Sequence, residues 1–255
     1  MIEDVQGRPD GRDIALDAAG IKGLTHPFKL DTGASGAQPV LARLAMSCAL
    51  PASVKGTHMS RFIEAAGALE TPLSPSSIVT LARDVQKRLA ADKVSVEAAF
   101  TFVLAREAPA TKARGFVDYR GALACTVSGG ETRVATRVEV PVTSLCPCSK
   151  AISDYGAHNQ RGVITIEATH DGTVSIEELV AIAESSGSSP VYSILKRPDE
   201  RLVTMRAYET PMFVEDMVRA VAVRLRGDAR VRSGTIAAVN DESIHNHQAF
   251  AELSF

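Results

Sequence analysis

The sequence predicts an α+β fold. Three observations carry that reading. Amphipathic helical stripes occur in both halves, β-rich segments follow one another through short links, and Gly129-Gly130 separates two such segments as a hairpin turn would. Short links suit antiparallel strands, whereas a doubly wound parallel sheet needs long crossovers.

In chain order, residues 1–40 are rich in Gly, Asp and Pro and weakly periodic, and read as an irregular arm with a disordered tip. Gly56 to Glu64 alternates and reads as a strand. Behind Ser74-Pro75, the positions Ile78, Leu81, Ala82, Val85 and Leu89 recur at helical spacing. Val94 to Leu104 reads as a strand, and Phe116 to Val127 and Thr132 to Val140 read as the arms of the hairpin. Arg161 to Thr169 is β-rich. Ser175-Ile-Glu-Glu178 is a capping box opening a helix with Ile176, Leu179, Val180 and Ala183 on its inner face. Thr210-Pro211 predicts the start of another helix, striped by Val214, Met217, Val218, Val221 and Leu225. Val231 to Val239 and Ile244 to Leu253 read as the last two strands. Neither a phosphate-binding lysine loop nor a dinucleotide-binding glycine fingerprint occurs, and no internal repeat shows at sequence level.

With 255 residues, 45% of them hydrophobic and 23% charged, the chain can bury a large core. A net charge of −2 provides no global field toward nucleic acid or membrane, so neither is expected as a partner, and an anionic ligand would need a local basic pocket. The polar, acidic start lacks a secretory pattern, and no apolar run is long enough to span a bilayer. Cys146 and Cys148 are too close for an ordinary disulfide framework, so a reducing cytoplasm is the expected location.

Chemistry-bearing residues gather in two segments. Ser144-Leu-Cys-Pro-Cys-Ser-Lys-Ala-Ile-Ser-Asp-Tyr-Gly-Ala-His-Asn-Gln-Arg161 holds two thiols and an imidazole, a pattern for a soft-metal site or a nucleophile site. Buried thiols are often plain core, but here Ser149, Lys150 and Arg161 add donors and positive charge. In Asn240-Asp-Glu-Ser-Ile-His-Asn-His247, a strand would turn His245 and His247 to one face, as ligands or as a proton-transfer pair, with Glu242 able to orient an imidazole. Glu215 borders the buried stripe of its predicted helix, and Glu200 lies in Lys196-Arg-Pro-Asp-Glu-Arg201. Lys55, His58 and Arg61 suit a phosphate, although a charged strand face would look the same.

Pro141-Val-Thr-Ser-Leu-Cys-Pro-Cys-Ser-Lys150 followed by Tyr155-Gly-Ala-His-Asn-Gln-Arg161 resembles the signature of the type IB GTP cyclohydrolases. The resemblance extends to Gly56-Thr-His-Met-Ser-Arg-Phe62, Arg197-Pro-Asp-Glu200, Phe213-Val-Glu-Asp216 and Glu242-Ser-Ile-His245. It implies a tunnelling fold (T-fold), with two units of antiparallel sheet plus two helices, here 41–140 and 141–255, assembling into barrels as a homo-oligomer, expected to be a tetramer. The implied reaction converts GTP and water to dihydroneopterin triphosphate and formate, at the entry to tetrahydrofolate synthesis. By resemblance, Cys146, His158 and Glu200 hold a divalent metal, with His245 as a ligand or proton carrier and Glu215 on the guanine edge. Cys148, His245, His247 and Glu242 are the further catalytic candidates, and Lys55, His58, Arg61, Ser149 and Lys150 the candidates for triphosphate and sugar. Zn suits the mixed donors, and the carboxylate also admits Mn or Fe. Two competing readings are a related NADPH-dependent nitrile reductase and a structural metal protein with a closed four-ligand shell.

Overall fold

A computed structural model describes Asp4 and residues 6–255. The remainder of the expected disordered tip lies outside the described residues. In order, the elements are β1 Leu16–Asp31, β2 Ala37–Leu50, α1 Met59–Gly67, α2 Pro75–Leu89, β3 Lys93–Glu107, β4 Arg114–Ser128 and β5 Glu131–Leu145. They continue with α3 Pro147–Ile152, β6 Asn159–His170, α4 Ile176–Glu184, β7 Ser189–Pro190, α5 Arg197–Glu209, α6 Val214–Arg226, β8 Val231–Asp241 and β9 Gln248–Ser254. The strands are hydrogen-bonded in the order β1-β2-β3-β4-β5-β6-β8-β9, with β7 on β5. The α+β class is confirmed.

Two compact units emerge. The first takes the chain up to Thr32 with Gly36–Phe100 and Ala122–Ala135; the second takes Gly33–Ser35, Thr101–Gly121 and Thr136–Phe255. In the first, β2 and β3 alternate strictly, burying Val40, Ala42, Leu44, Met46, Val94, Val96 and Ala98, with α1 and α2 contributing Phe62, Ala65, Ala66, Ile78, Leu81 and Val85. The α2 start is the predicted one: Ser74 Oγ accepts from Ser77 N–H and Pro75 fills the first turn. The hairpin is also as predicted, with Gly129 and Gly130 both at positive φ (57° and 85°), the backbone of a two-residue turn.

Three expectations are corrected here. The arm over 1–40 contains a full strand, β1. Register shifts between Leu16 and Ala19 and between Lys22 and Leu24 break its alternation, and only Phe28 and Leu30 are buried. Gly56–Glu64 is not a strand. His58 is the N-cap of α1, which buries Phe62, Ala65 and Ala66 at helical spacing; a few alternating residues matched both periods. The helix expected at Thr210-Pro211 begins at Val214, because Asp216 caps it by accepting from Phe213 N–H (3.1 Å).

In the second unit, α4 opens at the predicted box: Ser175 Oγ accepts from Glu178 N–H, and Glu178 accepts from Ser175 N–H. Its far end is held by Glu184, which accepts from Arg106 Nε (2.9 Å) and from the Tyr119 hydroxyl (2.5 Å). Burial pushes the Tyr119 hydroxyl well above its ordinary range, so it remains a donor. The fully buried Asp199 carboxylate accepts from the backbone N–H groups of Ala110, Thr111 and Lys196 and from Thr111 Oγ1, tying the start of α5 to the loop after β3. Burial opposes its charge, yet these four bonds hold it well below the usual carboxylate range.

At the end of β6, His170 is buried. Its Nδ1 accepts from Gly172 N–H (3.1 Å), so the hydrogen sits on Nε2, which donates to Thr136 Oγ1 (2.8 Å). Burial lowers its proton affinity, Arg230 lowers it further, and Asp171, Asp228 and Glu178 act in the opposite sense. A depressed folded-state value means that the unfolded chain binds the proton first. Stability should therefore be complete above about pH 6.5, the ordinary histidine value, and fall as pH drops below it. Denaturation midpoints measured across that range should decline in the wild type, and His170→Gln should flatten the decline.

Candidate active site in the second unit

A cavity of about 630 Å³ opens where β5 ends, α3 and β6 begin, α6 starts and the loop before β9 folds over. Every residue lining it belongs to the second unit.

Its floor comes from strand alternation. Along the buried faces of β5, β6 and β8 the positions are mostly apolar, with Thr136 and His170 paired at the far end, and at the cavity end Ser144, Gln160 and Asn240 stand at buried positions. Asn240 Nδ2 donates to Ser144 Oγ (2.8 Å), and Ser144 Oγ donates to Met212 O (2.9 Å). Strand β6 lies between those two strands, and its residue opposite Asn240 is Gly162. A Cβ there would lie 2.3 Å from Asn240 Oδ1, so only glycine leaves the side chain room to cross. That Oδ1 is buried without a hydrogen-bond partner among the described residues. Met212 N–H also donates to Leu145 O (3.1 Å), so the link into α6 is pinned at both its N–H and its C=O.

Cys146 is the N-cap of α3, its Sγ accepting from Ser149 N–H (3.5 Å). Cys146 N–H donates to His158 O (3.0 Å), and Ser149 Oγ accepts from His158 N–H (3.2 Å) while donating to Cys146 O (3.1 Å). Backbone bonds therefore bring the half-buried Cys146 and His158 together, with Cys148 exposed beside them. His158 Nδ1 lies 2.7 Å from Gln160 Oε1, and Gln160 Nε2 donates to Glu242 Oε1 (3.4 Å). Glu215 occupies the first turn of α6 and lines the cavity, but it is exposed and not the internal carboxylate its sequence position suggested.

His245 and His247 line the same cavity with ring centroids 5.0 Å apart, nearly parallel at 21°. They are brought together as expected, but by a different route. Strand β9 begins at Gln248, so both lie in the loop joining it to β8 and not on a strand.

Other candidates lie elsewhere. Lys150 is not in the cavity wall; its Nζ donates to Tyr208 O (2.5 Å) and sits 4.2 Å from the Tyr208 ring centroid. Glu200 is exposed on the first turn of α5, also outside the wall. Lys55, His58 and Arg61 belong to the first unit. There His58 pairs with Asp4 (3.1 Å), Arg61 Nη1 donates to Arg88 O (2.8 Å), and Lys55 faces a small cavity with Asp10 and Arg12. Among the described residues no three His, Cys, Asp or Glu side chains gather to hold a metal ion. The predicted trio is thus represented by Cys146 and His158 alone, and the described arrangement is not a finished metal centre. Ser144, Gln160 and Asn240 escaped the sequence reading because the predicted strands ended at Val140, began at Arg161 and ended at Val239, whereas the observed strands run to Leu145, from Asn159 and to Asp241.

The architecture is similar to that of solved uricases. It matches uricase from Arthrobacter globiformis with a TM-score of 0.56 at 8% identity, over 93% of this chain and 92% of that one. Urate oxidase from Bacillus subtilis 168 matches with a TM-score of 0.53 at 9% identity, over 93% and 98%. At such identities the likeness concerns the fold alone.

Sequence comparison is more specific. Residues 2–251 match the family described as type I GTP cyclohydrolase folE2, and the chain belongs to that family. It is 46% identical to GTP cyclohydrolase FolE2 1 of Dechloromonas aromatica (strain RCB), over 99% of this chain and 96% of that protein. It is 44% identical to GTP cyclohydrolase FolE2 of Paraburkholderia xenovorans (strain LB400), over 99% and 94%.

The crossing at Gly162 yields a direct expectation. Gly162→Ala should destabilise the protein by about 1–3 kcal/mol, the usual range for overpacking, as measured by chemical denaturation. Adding Asn240→Ala should recover part of that loss.

Proposed function

We propose that this chain is a GTP cyclohydrolase of the type IB kind, carrying out the GTP cyclohydrolase I reaction: GTP and water become 7,8-dihydroneopterin triphosphate and formate, the first step of tetrahydrofolate biosynthesis. The observation that carries the proposal is a single cavity holding Cys146, Cys148, His158, Glu215, Glu242 and the His245–His247 pair in a chain of the folE2 family. Its volume of about 630 Å³ falls in the range of small-molecule sites.

Glu215 serves guanine recognition. A carboxylate accepts two parallel N–H bonds from the ring N1 and the exocyclic amine, an edge adenine lacks. The stacked histidines act as proton carriers at N7 while water adds to C8 and the five-membered ring opens. A second water releases formate, and ring closure after ribose rearrangement returns one water, so a single water is consumed overall. Cys148, exposed at the cavity, is the proton carrier proposed for the sugar steps. A divalent metal, Zn, Mn or Fe, is proposed as cofactor on the donor chemistry of Cys146 and His158; such an ion supplies a water of lowered pKa when bound. A homotetramer with barrel-forming sheets and a cytoplasmic location complete the reading.

The decisive experiment incubates metal-reconstituted protein with GTP and follows formate and, after oxidation, pteridine fluorescence. Both products should appear together; neither appearing rejects the reading. Cys146→Ala should abolish turnover while leaving circular dichroism unchanged. Glu215→Gln should raise the KM for GTP about 10- to 100-fold, the worth of one charge-assisted contact. An unchanged KM removes Glu215 from the guanine edge.

A further inference from the structure

We propose that Gln160 is a positioning residue: its side-chain amide, oriented by Glu242, holds the His158 imidazole as the Nδ1–H tautomer and reserves the Nε2 lone pair for the cavity. The catalytic meaning of this relay rests on the function proposed above; its geometry does not.

The argument is one of donors and acceptors. Gln160 is only 7% exposed, so its amide must find partners within the protein. A primary amide offers an oxygen that only accepts and a nitrogen that only donates. Glu242 Oε1 lies 3.4 Å from the amide nitrogen, and a carboxylate accepts. Turning the amide over would set its oxygen against the carboxylate oxygen, which is repulsive. The amide oxygen therefore faces His158, 2.7 Å from Nδ1. Because that oxygen cannot donate, Nδ1 must carry the hydrogen.

Ser243 Oγ approaches the same nitrogen at 3.3 Å, but a hydroxyl donates or accepts equally well and selects neither tautomer. In a neutral imidazole the remaining nitrogen, Nε2, then holds the lone pair. Nε2 has no hydrogen-bond partner among the described residues, and His158 lines the cavity. The backbone of His158 is independently fixed through Cys146 and Ser149, so the amide relay governs the ring rather than the chain. A ring held in this form presents a ready acceptor beside Cys146, whether for a cation or for a proton leaving the substrate.

The test uses full-length, metal-free protein labelled with 15N at histidine. Long-range 1H–15N spectra report which imidazole nitrogen is protonated, and the His158 signals are assigned by their loss in His158→Asn. The wild type should show His158 as Nδ1–H, and Ser243→Ala should keep that form. Gln160→Leu combined with Ser243→Ala should lose it as the major form, with GTP turnover reduced about 10- to 100-fold in the metal-reconstituted protein. Gln160→Glu with Glu242→Gln reverses the polarity of the relay. The carboxylate introduced at position 160 accepts from Nδ1–H and from the new amide, so this double variant should retain the Nδ1–H form. It decides the matter even where the leucine variant fails to fold. A wild type with the hydrogen on Nε2, a Gln160→Leu/Ser243→Ala protein that keeps Nδ1–H, or a polarity-reversed protein that loses it overturns the proposal. If the tautomers behave as expected but the wild type does not turn over GTP, the relay stands and the functional reading falls.

Discussion

The reach of Asn240 across Gly162 to Ser144 is the constraint on which the cavity depends. Three neighbouring strands end there, and each replaces an apolar inward position with a polar or absent side chain. Ser144 passes the connection on to Met212 O, and Leu145 O receives Met212 N–H. The link between α5 and α6 is thereby stitched to the end of β5, which fixes where α6 begins and where Glu215 stands. Magnitudes indicate that this layer is not kept for stability. Each neutral hydrogen bond contributes about 0.5–1.5 kcal/mol, whereas a buried acceptor without a partner costs about 1–3 kcal/mol. The two bonds made by Asn240 and Ser144 roughly offset the unpaired Asn240 Oδ1. Apolar residues at those positions would fold as well, but would leave Met212 held only through its N–H bond to Leu145 O.

The same strand ends organise the chemistry. Cys146 follows β5 directly and His158 precedes β6 directly, and β5 and β6 are neighbours in the sheet. Their pairing is an extension of the strand ladder, since Cys146 N–H donates to His158 O. Ser149 then locks the intervening α3 with bonds to both. A thiol and an imidazole far apart in a flexible chain would carry a large entropic cost to bring together. Here the sheet meets that cost before any ligand arrives.

Much of this was legible in the sequence, for identifiable reasons. Caps with a mechanism were read correctly: Ser74-Pro75 and Ser175–Glu178 specify their helix starts by local hydrogen bonds that need no tertiary context. Gly129-Gly130 likewise specifies its turn. The failures came where tertiary structure overrode local pattern. β1 shifts register twice in its first half and is mostly exposed, so its period-two alternation is confined to Leu24–Asp31. α1 is short enough that its residues satisfied both periods. The His245–His247 pair was expected to meet through strand geometry, yet it meets in a loop. Gln160 could be found only by asking why a polar residue occupies a buried strand position, a question composition and motif do not raise.

Glu200 stands apart from the cavity because its helix is seated differently from the strands that build the cavity. Helix α5 buries only Asp199 and Ala207, while Leu202, Met205 and Tyr208 remain about two-fifths exposed. Its placement therefore comes from polar contacts at its ends. Asp199 fastens the first turn to the loop at Ala110 and Thr111, and Tyr208 O accepts from Lys150 Nζ near the last turn. A helix with so little buried apolar surface takes its position from those anchors rather than from packing. Cys146 and His158 are set by the sheet, whereas the carboxylate of Glu200 is set by α5. Moving that helix displaces the Glu200 carboxylate and leaves the Cys146–His158 pairing intact, because that pairing is made by the ends of β5 and β6.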